Sequence, residues 1–286
     1  NENHARELME LHTISPEGGY TQEDVVELAK IMTGWRPKWS RKTDQGSDVR
    51  FMSDRHEPGK KTVLGKTYKR GSKSLKIVIK DLVNHPSCRK FIATKLCTYL
   101  ITDKPTKEMI TPIIKAWEKS DGHLPEVHKA AIKVAFEYND KHKKFQNPEN
   151  WWLQVINMSG LAYKYPVPER KMDNYMLGNL PSEELRESDW RLENIGYHPY
   201  RAKQPNGYSD ISTDWMSTEL IIRRLMYAKE AFHMYKTMDQ LDNKIHEKII
   251  RSNFDDPDKI LKIVSKLTSN EEMHMILFNL PEVLRA

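Results

Sequence analysis

Asn3, Arg6, Glu7 and Glu10 crowd the opening run Asn1-Glu2-Asn3-His4-Ala5-Arg6-Glu7-Leu8-Met9-Glu10-Leu11-His12-Thr13. Carboxylates beside an amide oxygen form a donor set that a hard cation accepts. A guanidinium among them can hold an anion. At about 100° per residue, Ala5, Leu8, Met9, Leu11 and His12 fall on one side of a helix, and Glu2, Asn3, Arg6, Glu7 and Glu10 on the other. Glu2, Arg6 and Glu10 then form an (i, i+4) ladder. The plain reading is a surface helix with a salt-bridged face. The sharper reading turns Asn3, Glu7 and Glu10 into a polar cleft. His12 falls within the apolar stripe, where a packed histidine is expected rather than a metal ligand.

A second cluster, Asp54-Arg55-His56-Glu57, groups titratable side chains on a turn. Histidine beside carboxylates can do acid–base work near neutral pH or bind a cation; the plain alternative is a polar hairpin turn. If the two clusters converge, Glu7, Glu10 and His56 are the catalytic candidates. His-Glu-x-x-His, paired Cys ligands, Gly-x-Gly-x-x-Gly, a Walker loop and Gly-x-Ser-x-Gly are all absent from the sequence. No cofactor motif is evident, and a divalent cation is compatible with the carboxylates. Trp35, Trp39, Trp151, Trp152 and the run Tyr197-His198-Pro199-Tyr200 are suited to a sugar groove or, more often, to closing a core beneath loops.

The positive charge is confined to one segment. Residues 36–95 hold 17 Lys/Arg against 5 Asp/Glu, while the rest of the chain holds 29 against 35. A lysine-rich solvated surface is the plain reading. The functional reading is an anion-facing patch carrying Lys60, Lys61, Lys66, Lys69 and Arg70, together with Arg6 and Asn3 as ligand-binding candidates. Nucleic acid is the weakest partner, since no helix-turn-helix, zinc finger or aromatic RNA-binding motif accompanies the charge. A protein partner or an anionic polymer fits better.

The elements that must position these residues are mostly helical. Thr21 with Asp24 three residues on predicts a capped helix, continued by Val25, Leu28, Ala29 and Met32 and stopped by Gly34. Residues 50–53 and 61–64 are expected to pair as a small hairpin or β-ribbon around the His56 turn. Helical spacing follows over 72–82, from Pro86 onward, over 105–119 with Pro112 kinking or restarting the helix, and over 124–138 and 148–163. Residues 164–212 are irregular, with one helix expected over 182–194. A long helix then runs to Tyr235, followed by three more near 237–251, 257–267 and 270–284. The fold class is mainly α, a multi-helix bundle with a small β-ribbon insertion near 49–69. We expect a single helical domain over 1–286, with residues 36–71 as its basic loop and ribbon. No apolar run reaches membrane-spanning length. Cys88 and Cys97 are nine residues apart in one expected helix, which places them on opposite faces and excludes a mutual disulfide.

The opening run, with Gly19-Tyr20-Thr21-Gln22-Glu23-Asp24-Val25-Val26-Glu27-Leu28-Ala29 and Thr33-Gly34-Trp35, closely resembles a bacterial family called domain of unknown function 1800. The resemblance continues at His56, Gly59-Lys60-Lys61-Thr62-Val63-Leu64-Gly65, His85-Pro86, Ser120-Asp121-Gly122 and Pro205-Asn206-Gly207-Tyr208. It ends loosely at Leu280-Pro281-Glu282-Val283. The resemblance implies a longer protein with a further helical region before Asn1, so the chain reads as its C-terminal part. It also implies an exported, periplasmic or secreted location, and no agreed activity. The leading functional expectation is a non-catalytic cell-envelope or secreted scaffold that binds a partner protein or anionic glycan. The alternative is a hydrolase of envelope polymers with a carboxylate/His site, cation-assisted or not.

Overall fold

The structure is a computed structural model, and it describes residues 1–37, 49–138, 144–159, 192–198, 202, 204–237 and 244–285. Among the described residues the chain is mainly helical with two small two-stranded sheets, and it divides into two compact units, 1–140 and 141–286.

The N-terminal unit begins with α1 (Glu2–Glu7), which widens into a π-helical turn over Leu8–His12. The Thr13 hydroxyl closes this turn by donating to the Leu8 carbonyl at 2.7 Å. Ser15 follows in a left-handed conformation, φ 73°, and its amide reaches back to the Met9 carbonyl. The widening corrects two expectations from the sequence. A turn closed by i→i+5 bonds rotates less per residue than an α-turn, so the wheel drawn for α-geometry loses its phase by the end of Leu8–His12. Met9 is buried as the wheel puts it, but His12 is exposed rather than packed in the apolar stripe, and burial continues at Thr13 and Ile14. The ladder keeps its first rung, Arg6 to Glu2 at 3.2 Å, but Arg6 turns its other bond to Gln22 and not to Glu10.

α2 (Gln22–Ile31) starts with the expected capping box, in which Thr21 accepts from the Asp24 amide and the Asp24 carboxylate accepts from the Thr21 amide. Its Val25 and Leu28 join Ala5 and Met9 in one buried cluster that also takes in Val63, Val78 and Leu82. The strands pair differently from the expected ribbon. β1 (Trp35–Pro37) pairs antiparallel with β2 (Val49–Phe51), and β3 (Lys61–Val63) with β4 (Lys66–Tyr68). The segments at 50–53 and 61–64 therefore each find their own neighbour. Strands only three residues long carry too little alternation to specify a register.

α3 (Lys73–Val83), α4 (Pro86–Leu100), α5 (Lys107–Lys119) and α6 (Leu124–Tyr138) complete this unit. α4 opens with Pro86 at its first position, and the His85 ring accepts from the Ser87 amide. α5 runs through Pro112, and its Met109, Ile113 and Trp117 form an (i, i+4, i+8) stripe in a second core with Cys97, Ala131 and Val134. Cys88 and Cys97 are both buried and free, and burial pushes each thiol up to about 11.

The C-terminal unit contains α7 (Pro148–Ser159), a 3₁₀ turn at Ser212–Trp215, α8 (Thr218–Thr237), α9 (Ile245–Asn253), α10 (Pro257–Val264), α11 (Asn270–Leu277) and α12 (Pro281–Leu284). The sequence-expected helix over 270–284 is broken in two, because Pro281 starts a new helix and cannot sit inside one without losing a backbone bond. The expected helix over 182–194 lies mostly outside the described residues, as do Trp39, Pro199 and Tyr200. Trp151 and Trp152 are buried in the core of this unit with Tyr227, Ile250 and Phe278, so they close a core and do not line a surface groove.

Candidate functional site

The site-bearing region of the N-terminal unit is built on α2. Two carboxylates from this helix hold β3 and the start of the turn after it. Asp24 accepts from the Leu64 amide at 2.6 Å, and Glu27 accepts from the Thr62 amide at 3.1 Å. Burial works to raise the Asp24 pKa, but the bonds from Thr21 and Leu64 outweigh it and leave it lowered. Glu27 is lowered chiefly by the Lys30 ammonium, 2.7 Å away.

Beyond α2, Gly34 has φ +85°, and a Cβ placed there would stand 2.7 Å from the Met52 carbonyl oxygen and 3.0 Å from the His56 Cβ. Only glycine lets the 52–56 turn approach this closely. The approach brings His56 onto Thr33. His56 Nδ1 lies 2.9 Å from the Thr33 carbonyl, and Nε2 lies 3.3 Å from the Gly71 amide. A carbonyl can only accept and an amide N–H can only donate, so these partners assign the neutral ring its Nδ1–H tautomer. The Thr33 hydroxyl accepts from the Glu57 amide at 2.8 Å.

Lys61 completes the node. It is 2% exposed, and its ammonium donates to the Glu57 and Gly59 carbonyls, with His56 Nε2 at 3.5 Å. Burial lowers its pKa, partly opposed by Glu57. Arg70 ties down the same turn by donating to the Ser53 carbonyl at 2.6 Å.

The sequence candidates therefore separate into groups. His56, Lys61 and Arg70 are brought together, as parts of one internally bonded turn. Among the described residues, the His56 ring nitrogens meet Thr33, Lys61 and Gly71, none of them a carboxylate. Glu7 and Glu10 have no ion-pair partner among the described residues, and Glu10 acts on Tyr20, whose phenol is raised by burial and then by that carboxylate. Asn3 is exposed. Among the described residues no group of three or more His, Cys, Asp or Glu is placed to hold a metal ion.

Lys60, Lys66 and Lys69 are exposed. Lys60 and Lys69 flank the Lys61–Tyr68 pair in sequence, at the end of the hairpin away from its turn. Lys66 is bound to Asp81 of α3 at 2.7 Å, and Tyr68 donates to the same carboxylate at 2.8 Å, so the hairpin and α3 adjoin. Lys73, Lys76 and Lys80 then follow at (i, i+3, i+7) on the exposed side of α3, next to a half-exposed Ile77.

Sequence reasoning missed the roles of Glu27 and Thr33. It also missed Arg224, which is wholly buried in the C-terminal unit. The signal was present: Arg224 stands at the head of an (i, i+3, i+4, i+7) stripe with Tyr227, Ala228 and Ala231, all buried. An arginine on an apolar stripe marks a buried charge.

Geometry of this kind defines a mainly helical protein with a braced, lysine-rich hairpin. The family model described as "Protein of unknown function (DUF1800)" matches residues 1–285, and the chain belongs to that family. No curated protein and no solved structure matches the chain. No helix among the described residues is long and apolar enough to cross a membrane.

Proposed function

We propose that this protein is a non-catalytic scaffold of the cell envelope or secreted space, and that its N-terminal unit binds an anionic glycan or an acidic partner protein through the face carrying Lys60, Lys69, Lys73 and Lys76. The observation that carries the reading is the contrast among the basic residues. Lys61 and Arg70 are committed to carbonyls within the turn, while Lys66 and Lys80 pair with Asp81 and Asp121. Lys60, Lys69, Lys73 and Lys76 are exposed and have no ion-pair partner among the described residues. A local excess of exposed ammonium groups raises the local concentration of polyanions, and this attraction weakens with salt. The envelope location rests on the family resemblance.

The hydrolase reading would require Glu7 or Glu10 to share a water or cation with His56. The His56 ring nitrogens are instead committed to the Thr33 carbonyl and the Gly71 amide.

The test is the change of Lys60, Lys69, Lys73 and Lys76 to Gln together, read by affinity for a heparin oligosaccharide as the sulfated probe. The expected result is a loss of at least about tenfold, with stability within about 0.5 kcal/mol of wild type because these are surface sites. Binding that survives the change, or that is insensitive to salt, overturns the reading.

A further inference from the structure

Arg224 projects from α8 into the interior of the C-terminal unit with no exposed surface. Its guanidinium lies over the rings of Phe145, at 4.8 Å, and Trp151, at 5.4 Å. Nη2 donates to the Gln146 carbonyl at 2.7 Å. Nε and Nη1 are buried without a hydrogen-bond partner. Aromatic rings interact with the faces of a guanidinium, whereas its N–H groups point outward in its own plane, so stacking leaves those donors unsatisfied. Among the described residues no carboxylate pairs with Arg224, and burial alone, with no opposing charge, pushes it down to about 10. An isolated buried cation is one of the costliest arrangements in a protein interior, and natural chains keep it where an anion completes it.

The groups that cover Arg224 include a strap. Phe145 and Gln146 lie on non-helical chain before α7, held by the bridge from Phe145 to Arg285 and by bonds from Gln146 to the Leu284 and Val283 carbonyls. The strap is closed on carbonyls of α12 and on Arg285 just beyond it.

We propose that Arg224 is the anion-holding residue of a carboxylate-binding site in the C-terminal unit, beneath the 144–147 strap. A planar carboxylate supplies two acceptor oxygens to the N–H donors of a guanidinium, and Nε and Nη1 of Arg224 are without a partner. The site is independent of the lysine face of the N-terminal unit and does not rest on the scaffold reading.

The experiment is thermal melting of the full chain in sodium acetate against sodium chloride at equal ionic strength, for wild type and for Arg224→Met. A ligand that binds only the folded state raises the melting temperature. Acetate is expected to raise that of wild type by about 3 °C or more over chloride. Arg224→Met is expected to lose this increment, which separates site binding from general salting effects. Its melting temperature in chloride should equal or exceed that of wild type, because the uncompensated charge is gone. Should Arg224→Met not fold, saturation transfer from wild-type protein to the acetate methyl protons decides the matter, with transfer expected. No acetate increment and no transfer in wild type overturns the proposal. So does an Arg224→Met variant destabilised equally in both salts, the result expected if a carboxylate of this chain already holds Arg224.

Discussion

Each unit buries a cation, and the two are treated in opposite ways. Lys61 in the N-terminal unit reaches two backbone carbonyls and the His56 ring, all within one turn braced by Thr33 and Arg70. Arg224 in the C-terminal unit reaches one carbonyl and two aromatic faces, with two nitrogens lacking partners. A compact ammonium can be satisfied by acceptors from a short loop, whereas a guanidinium's five donors exceed what one loop supplies. The comparison separates a cation that holds structure from one whose hydrogen-bonding demand is still open. The buried histidines follow the same division. His56 is tied to backbone on both sides, while His246 and His274 lie against each other at 3.2 Å inside the C-terminal unit.

That difference can be broken or sharpened by experiment. The largest expected effect is on the C-terminal unit in acid. Burial, then the neighbouring His246, pushes His274 down to about 3, and burial also lowers His246. A histidine with a depressed folded pKa stays neutral while the unfolded chain takes up a proton. Its contribution is therefore whole above the unfolded value of 6.5 and is lost as pH falls from there toward about 3. The loss should be on the order of 3 kcal/mol. Urea midpoints near pH 7.5 and 4.5, followed by hydrogen exchange over residues 245–277, read it directly. Equal midpoints would remove the His pair from the account.

Lys61→Met comes next. It leaves the Glu57 and Gly59 carbonyls without their donor, and a loss of about 3 kcal/mol is expected for the N-terminal unit. Arg224→Met in chloride should show no such loss, and similar losses in both variants would erase the contrast between the two cations. Gly34→Ala should cost about 2 kcal/mol, from the left-handed backbone and the contact with the Met52 carbonyl. A melt within a degree of wild type would mean that the His56 turn does not need that approach. Thr21→Ala should cost about 1 kcal/mol through the lost cap. A change below about 0.3 kcal/mol would show that the Thr21 hydroxyl adds nothing to the cap and that the backbone amides alone hold Asp24.

How much of this was legible in the sequence depends on the range of the signal. The cap at Thr21 and Asp24, Pro86 at a helix start and the stop at Gly34 are local, and each stands where the pattern puts it. The separation of Cys88 from Cys97 follows from helical spacing and holds. His12 was misplaced because a single π-turn, closed by Thr13, shifts the phase of the whole face. No alternation in three-residue strands encodes the pairing of β1 with β2 or of β3 with β4, and β3 is held in addition by carboxylates of α2. Among the site candidates, the lysines carried a compositional signal. Composition could not say that Lys61 turns inward while Lys60 faces out, since that is fixed by strand parity once Val63 and Tyr68 are buried.

Hydrogen–deuterium exchange of the whole chain, with and without a heparin oligosaccharide at low salt, tests the central claim most directly. The account predicts protection confined to residues 60–80, spanning the β3–β4 hairpin and the first turns of α3, and its disappearance as salt screens the exposed lysines. Protection centred on Glu7 and Glu10, protection that persists at high salt, or none at all would contradict it.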